Sequence, residues 1–146
     1  MDGGRIGWIL IAAAALAPNA GAADARASLQ ALPVAGAKLV APAEYQDASA
    51  VAARGGAPIE IALKIVGEFE GSMQEIVHVN ERAEAPSAAR VTVLRDGLLD
   101  DSVRGDRWEV DFERSQAGAW RIKSVKRAWR CRRGGELDRF GTALCP

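Results

Sequence analysis

Four arginines close together, Arg127, Arg130, Arg132 and Arg133, follow Lys123 and Lys126 and share their stretch with Trp120 and Trp129. Guanidinium groups grip phosphate and carboxylate through paired donors and stack on aromatic rings. The stretch is therefore the sequence's candidate patch for an anionic partner, such as lipid headgroups or cell-wall polymers. Nucleic acid fits it poorly. The preceding strand-like segment supplies Glu109, Asp111 and Glu113 as counter-charges, and the chain is neutral overall, with 19 Lys plus Arg against 19 Asp plus Glu.

His78 is the only histidine, so a catalytic triad or an imidazole acid–base scheme would have to use it. It lies between Val77 and Val79 in a strand-like pattern, which points its ring to the face shared with Ile76, and no Gly-x-Ser-x-Gly turn presents a serine. A strand histidine satisfied locally is the plainer reading. The enzyme alternative is a small periplasmic hydrolase or isomerase with a pocket between helix and sheet, using His78 or a carboxylate such as Glu60 or Glu75 as base.

Asp96, Asp100, Asp101 and Asp106 gather carboxylates of the kind calcium takes, but their spacing departs from the alternating Asp-x-Asp-x-Asp-Gly loop, and two polar turns explain them equally well. One histidine and two cysteines make a poor zinc set. Gly55-Gly56 and Gly134-Gly135 lack the Lys-Ser/Thr of a phosphate loop. No metal or cofactor is expected. The favoured reading is a non-catalytic domain that binds an envelope partner or small ligand with its sheet.

The compartment follows from the N-terminus and the cysteines. Arg5 precedes the apolar run Ile6 to Leu16, which is too short to span a bilayer, and Ala20-Gly21-Ala22-Ala23 offers small residues at a cleavage site. Residues 1–23 read as a signal peptide, which predicts an exported chain, periplasmic or extracellular, beginning near Asp24. Cys131 and Cys145, the only cysteines, suit a disulfide in an oxidising compartment. Such a bridge closes a loop of about 15 residues and contributes roughly 3 kcal/mol.

The elements that would position these groups can be read from periodicity. Residues 24–57 are rich in alanine and proline, with a short periodic segment from Asp24 to Leu32. A helix is predicted over about 42–54, with Pro42 in its first turn, Tyr45, Ala48 and Val51 on one side and Gly55-Gly56 as the stop. Beyond Pro58, Ile59, Ile61, Leu63 and Ile65 alternate with Glu60, Ala62 and Lys64, which predicts a strand opening an antiparallel β domain over 58–146. Gln74 to Val79 is expected to pair with it. Arg90 to Arg95 would turn tightly at Asp96-Gly97, with the chain returning from Leu98.

The last hairpin is the most explicit. Trp108, Val110 and Phe112 alternate with Glu109, Asp111 and Glu113, a loop spans Ser115 to Ala119, and Trp120 begins the return. The expected register sets Phe112 opposite Ile122, Glu113 opposite Arg121 and Asp111 opposite Lys123. Because Trp120 and Ile122 differ in parity from Val125, Trp129 and Cys131, a bulge near Ser124-Val125 is required, after which Lys126 faces Glu109. The sum is an α+β fold: an antiparallel sheet of four to six strands with an N-terminal helix on one face, with a cystatin-like curved sheet or a small β-sandwich as variants.

Leu99-Asp100-Asp101-Ser102-Val103, Gly105-Asp106-Arg107-Trp108, Trp120-Arg121-Ile122, Arg127-Ala128-Trp129-Arg130-Cys131 and Gly141-Thr142-Ala143-Leu144-Cys145-Pro146 together resemble a group of small uncharacterised bacterial exported proteins. The resemblance covers the C-terminal third. It implies export and a closing cysteine pair, and no reaction.

Overall fold

The computed structural model describes residues 28–135 and 137–146, so the expected signal peptide lies outside the described residues. A short 3-10 turn, Leu29–Ala31, comes first among the described residues, and the start of the periodic segment read from Asp24 to Leu32 lies outside them. The two-residue strand β1, Lys38–Leu39, follows. A second 3-10 turn, Pro42–Tyr45, runs into α1, Gln46–Ala53, close to the predicted bounds. Proline opens the turn, the Glu44 carboxylate accepts the Ala41 N–H, and Gly55 sits at φ 89° after the end. Ala48 and Ala52, one turn apart, are the buried side of α1.

The predicted strand at Ile59–Ile65 is instead a helix, α2, Pro58–Val66. Its buried residues are Pro58, Ile61, Ala62 and Val66, a 3.6-residue stripe and not every second residue. The ends decide the matter. Proline occupies the first turn, Glu60 reaches back to the Ala57 N–H at 3.4 Å, and Gly67, at φ 77°, returns its N–H to the Leu63 carbonyl. The β region therefore begins at β2, Met73–Asn80, not at residue 58.

β2 pairs with β3, Ala88–Asp96, which pairs with β4, Val103–Arg114, and β4 with β5, Trp120–Cys131. The five strands form one antiparallel sheet in the order β1-β5-β4-β3-β2, which leaves no second sheet for a sandwich among the described residues. The β3–β4 connection is longer than the predicted tight turn. Gly97 takes the expected positive φ, but Asp100 then accepts the Ser102 and Val103 N–H groups, and the strand restarts only at Val103.

Both helices lie on one face, α2 against β3 and β4, α1 against β5. There Ile61, Ala62 and Val66 pack on Val91, Val93, Trp108, Val110, Phe112, Trp120 and Val125. The opposite face has a smaller apolar cluster, Leu29, Leu94, Ala128 and Phe140, brought together by the first 3-10 turn and the C-terminal tail. Phe140 is fully buried.

The tail is a strap. Gly141 exchanges backbone hydrogen bonds with Trp129, Phe140 donates to the Pro33 carbonyl, the Trp129 indole donates to the Ala143 carbonyl, and Cys145 is bonded to Cys131.

Candidate interaction surface

The hairpin register is as expected at Phe112–Ile122, Glu113–Arg121 and Glu109–Lys126. Asp111 does not face Lys123. The bulge falls one residue earlier than predicted, so Lys123 is the extra residue and Asp111 lies opposite Ser124. The Asp111 carboxylate takes Arg90 Nε at 2.7 Å and Ser124 Oγ at 2.9 Å. Partial burial acts to raise its pKa, but those two hydrogen bonds and the charges of Arg90 and Lys126 together hold it below the usual aspartate value.

The four arginines of the candidate patch are not brought together. Arg127 points to the helix-covered side, stacks over Trp108 at 4.5 Å and binds Asp106. Arg130, two positions off its parity partner Ala128, is buried on the opposite side, where its guanidinium binds Asp96 and the Leu137 carbonyl. Arg132 donates to the Asp100 and Leu98 carbonyls of the β3–β4 connection. Arg133 is exposed. Alternation along β5 divides the group, and carboxylates and carbonyls take three of its members.

A buried ionic cluster stands in their place. Asp106 is fully buried and accepts Arg95 Nε at 2.7 Å, Arg95 Nη2 at 2.6 Å, Trp108 Nε1 at 2.8 Å and Arg127 Nη2 at 3.1 Å. Arg95 also caps α2 by donating to the Val66 carbonyl. Four N–H donors from three side chains occupy the carboxylate's acceptor positions. Sequence reading placed Asp106 in a polar turn and passed over Arg95. The signal was parity: Asp106 shares the apolar register of Trp108, Val110 and Phe112, and Arg95 that of Val91 and Val93.

The other carboxylates of the proposed calcium turn are dispersed. Asp96 pairs with Arg104 and Arg130, and Asp100 closes its own turn. Among the described residues no group of three or more His, Cys, Asp and Glu is placed to hold a metal ion.

The candidate bases are equally separate. Glu60 caps α2. Glu75 accepts Ser28 Oγ and the Leu29 N–H, both at 2.9 Å, and those bonds lower its pKa although burial acts to raise it. His78 is exposed on β2, on the side of Ile76 as expected. A cleft of about 370 Å³ lies between α1 and the start of β5, lined by Ala52, Ala53, Trp120 and Ile122, with Ser49, Ser115 and Arg121 at its margin. It holds no histidine or carboxylate.

Among the described residues, what remains unpaired is backbone. β1 covers one edge of the sheet with two residues, whereas β2 forms the other edge over eight. Glu81 donates to the Ala88 carbonyl across β2–β3, and Arg114 donates to the Ser87 carbonyl across β3–β4. Both bonds fix the same alternation: the odd residues of β2 turn their N–H and C=O groups to β3, and Gln74, Ile76, His78 and Asn80 turn theirs outward. Ile76 is 39% exposed and Val79 57%. The strand has no lysine, arginine or proline, the usual devices that block edge pairing. Sequence reading paired this segment with residues 59–65, which hid the open edge.

Fold and surface together define a disulfide-closed α+β domain with helices on one face, a tail strapped across the other, and, among the described residues, a β2 edge that no strand covers. No family model, curated protein or solved structure matches the chain.

Proposed function

We propose that the protein is an exported, non-catalytic domain of the cell envelope that binds a partner through the free edge of β2. The single observation that carries this is the eight-residue edge, uncovered among the described residues, with outward backbone groups, exposed Ile76 and Val79, and no lysine, arginine or proline. Three findings support the rest of the reading. The Cys131–Cys145 disulfide is compatible with export. No described helix is long and apolar enough to cross a membrane. His78, Glu60 and Glu75 stand on separate parts of the surface, with both glutamates engaged in capping or docking.

The test is a photo-crosslinking residue placed at position 76 in the producing cell, with position 121 on the exposed start of β5 as control. A discrete adduct at 76 and none at 121 is the expected result. Identical behaviour at both positions overturns the reading. Export is checked on the same material: an N-terminus at Ala23 or Asp24 supports it, and an intact Met1 chain in the cytosol removes it.

A further inference from the structure

We infer that the strand received by this edge is β2 of a second copy of the chain, paired antiparallel about a two-fold axis through Val77; the inference rests on the edge-binding reading above. An axis perpendicular to the sheet keeps the helix-covered faces of both copies on the same side, and it requires opposed residues to share parity. Only the outward-facing residues Gln74, Ile76, His78 and Asn80 can exchange backbone hydrogen bonds. With the axis on Val77, Ile76 meets His78 of the other copy and Gln74 meets Asn80, so every outward group in the strand finds a partner. With the axis on Ile76, Asn80 is left opposite Ser72, outside the strand.

Side chains agree with that register. The one carboxylate of β2, Glu75, falls opposite Val79 and not opposite itself, so no like charges are opposed. Val79, 57% exposed in the single chain, then gains a neighbouring strand, and Val77 meets Val77 as a close, non-hydrogen-bonded pair. The product is a continuous ten-stranded sheet, from five strands in each copy. The two-fold contact uses the β2 edge of both copies, and the outer edges are β5, covered in part by β1 and by the tail at Trp129. The assembly therefore closes at two copies.

The register fixes the test. Non-hydrogen-bonded antiparallel pairs have Cα atoms about 4.5 Å apart, within disulfide reach. Purified Val77→Cys protein should form an intermolecular disulfide under mild oxidation, and Ile76→Cys or Val79→Cys protein should not. Because Val77 packs against the second core, a fold-neutral variant is needed beside it. Exposed Ile76→Lys should leave the unfolding midpoint of dilute, monomeric protein unchanged and weaken self-association, read by sedimentation, on the order of tenfold.

A protein that sediments as a monomer at every concentration overturns self-pairing about Val77, and so does an Ile76→Cys variant that crosslinks more readily than the Val77→Cys variant. If a monomer still yields a discrete heterologous adduct at position 76 in cells, self-pairing fails and the edge-binding reading stands. No adduct at position 76 overturns both.

Discussion

Replacing Asp106 with alanine should be among the most destabilising single changes outside the apolar core, and the structure sets its size. The carboxylate is fully buried and holds Arg95, whose side chain is 9% exposed, so its loss strands a guanidinium away from water and leaves the Trp108 indole N–H without an acceptor. Breaking a buried ion pair from one side costs about 3–5 kcal/mol. Arg127 contacts the same carboxylate but is 37% exposed, so solvent screens its share, and Arg127→Met should cost only about 1 kcal/mol. Arg95→Met combined with Asp106→Leu removes both ions at once, and its cost should fall below the sum of the two single changes by about 1–3 kcal/mol. Urea unfolding followed by tryptophan fluorescence measures each of these proteins, with Trp108 reporting from inside the cluster. A cost for Asp106→Ala below about 1 kcal/mol, or one equal to that of Arg127→Met, would refute the claim that this cluster is a buried charge held by compensation.

Reducing the Cys131–Cys145 bridge should lower stability by about 3 kcal/mol while Phe140 keeps the tail docked, so hydrogen exchange at Gly141 and Trp129 should stay slow; fast exchange there would show that the disulfide alone holds the strap. Phe140→Ala should cost about 3–5 kcal/mol in the same unfolding assay, more than reduction does. Glu75 has a depressed pKa in the folded chain, so the stability it contributes is present above the ordinary glutamate range and is lost as pH falls through its lowered folded value. Acid titration should loosen the Leu29–Ala31 turn, by amide exchange, in the wild type, and Glu75→Gln should remove that pH dependence. Lys123→Glu should change stability by less than about 0.5 kcal/mol, because Lys123 is the bulged residue and does not face Asp111; a loss near 1 kcal/mol would restore the unbulged register.

The last hairpin was legible because its parity was unambiguous. Three aromatic or apolar residues alternate with three acids, and the conflict between Ile122 and Val125 forced a bulge, found one residue from its expected place. The helix at Gln46–Ala53 and the disulfide were legible for similarly local reasons. α2 was not, because Ile59 to Ile65 satisfies a two-residue repeat as well as a 3.6-residue one within so short a window. Its ends carried the deciding information: Pro58 in the first turn, Glu60 two residues on, and Gly67 beyond the last turn are the punctuation of a helix. The arginine patch failed because adjacency in sequence was read as adjacency on a surface, whereas a strand sends neighbours to opposite faces. Phe140 had no periodic context at all, and its burial depends on the 3-10 turn at Leu29, more than a hundred residues earlier in the chain.

Arg95 and Asp96, neighbours on β3, give the sheet a means of checking its own alignment. Val91, Thr92, Val93 and Leu94 are buried on both faces, so hydrophobicity alone scarcely distinguishes the native pairing from one shifted by a single residue. Charge does. In the native alignment Arg95 meets Asp106. A slip in one direction sets Asp96 against Asp106 on the helix side and Arg95 against Arg107 on the other, two like-charge encounters at once. A slip in the opposite direction places Leu94 beside Asp106 and leaves that carboxylate with no cation from β3. An apolar strand can thus carry a built-in error penalty at one end, and assembly fidelity in this sheet depends on a pair of ions whose net contribution to stability is small.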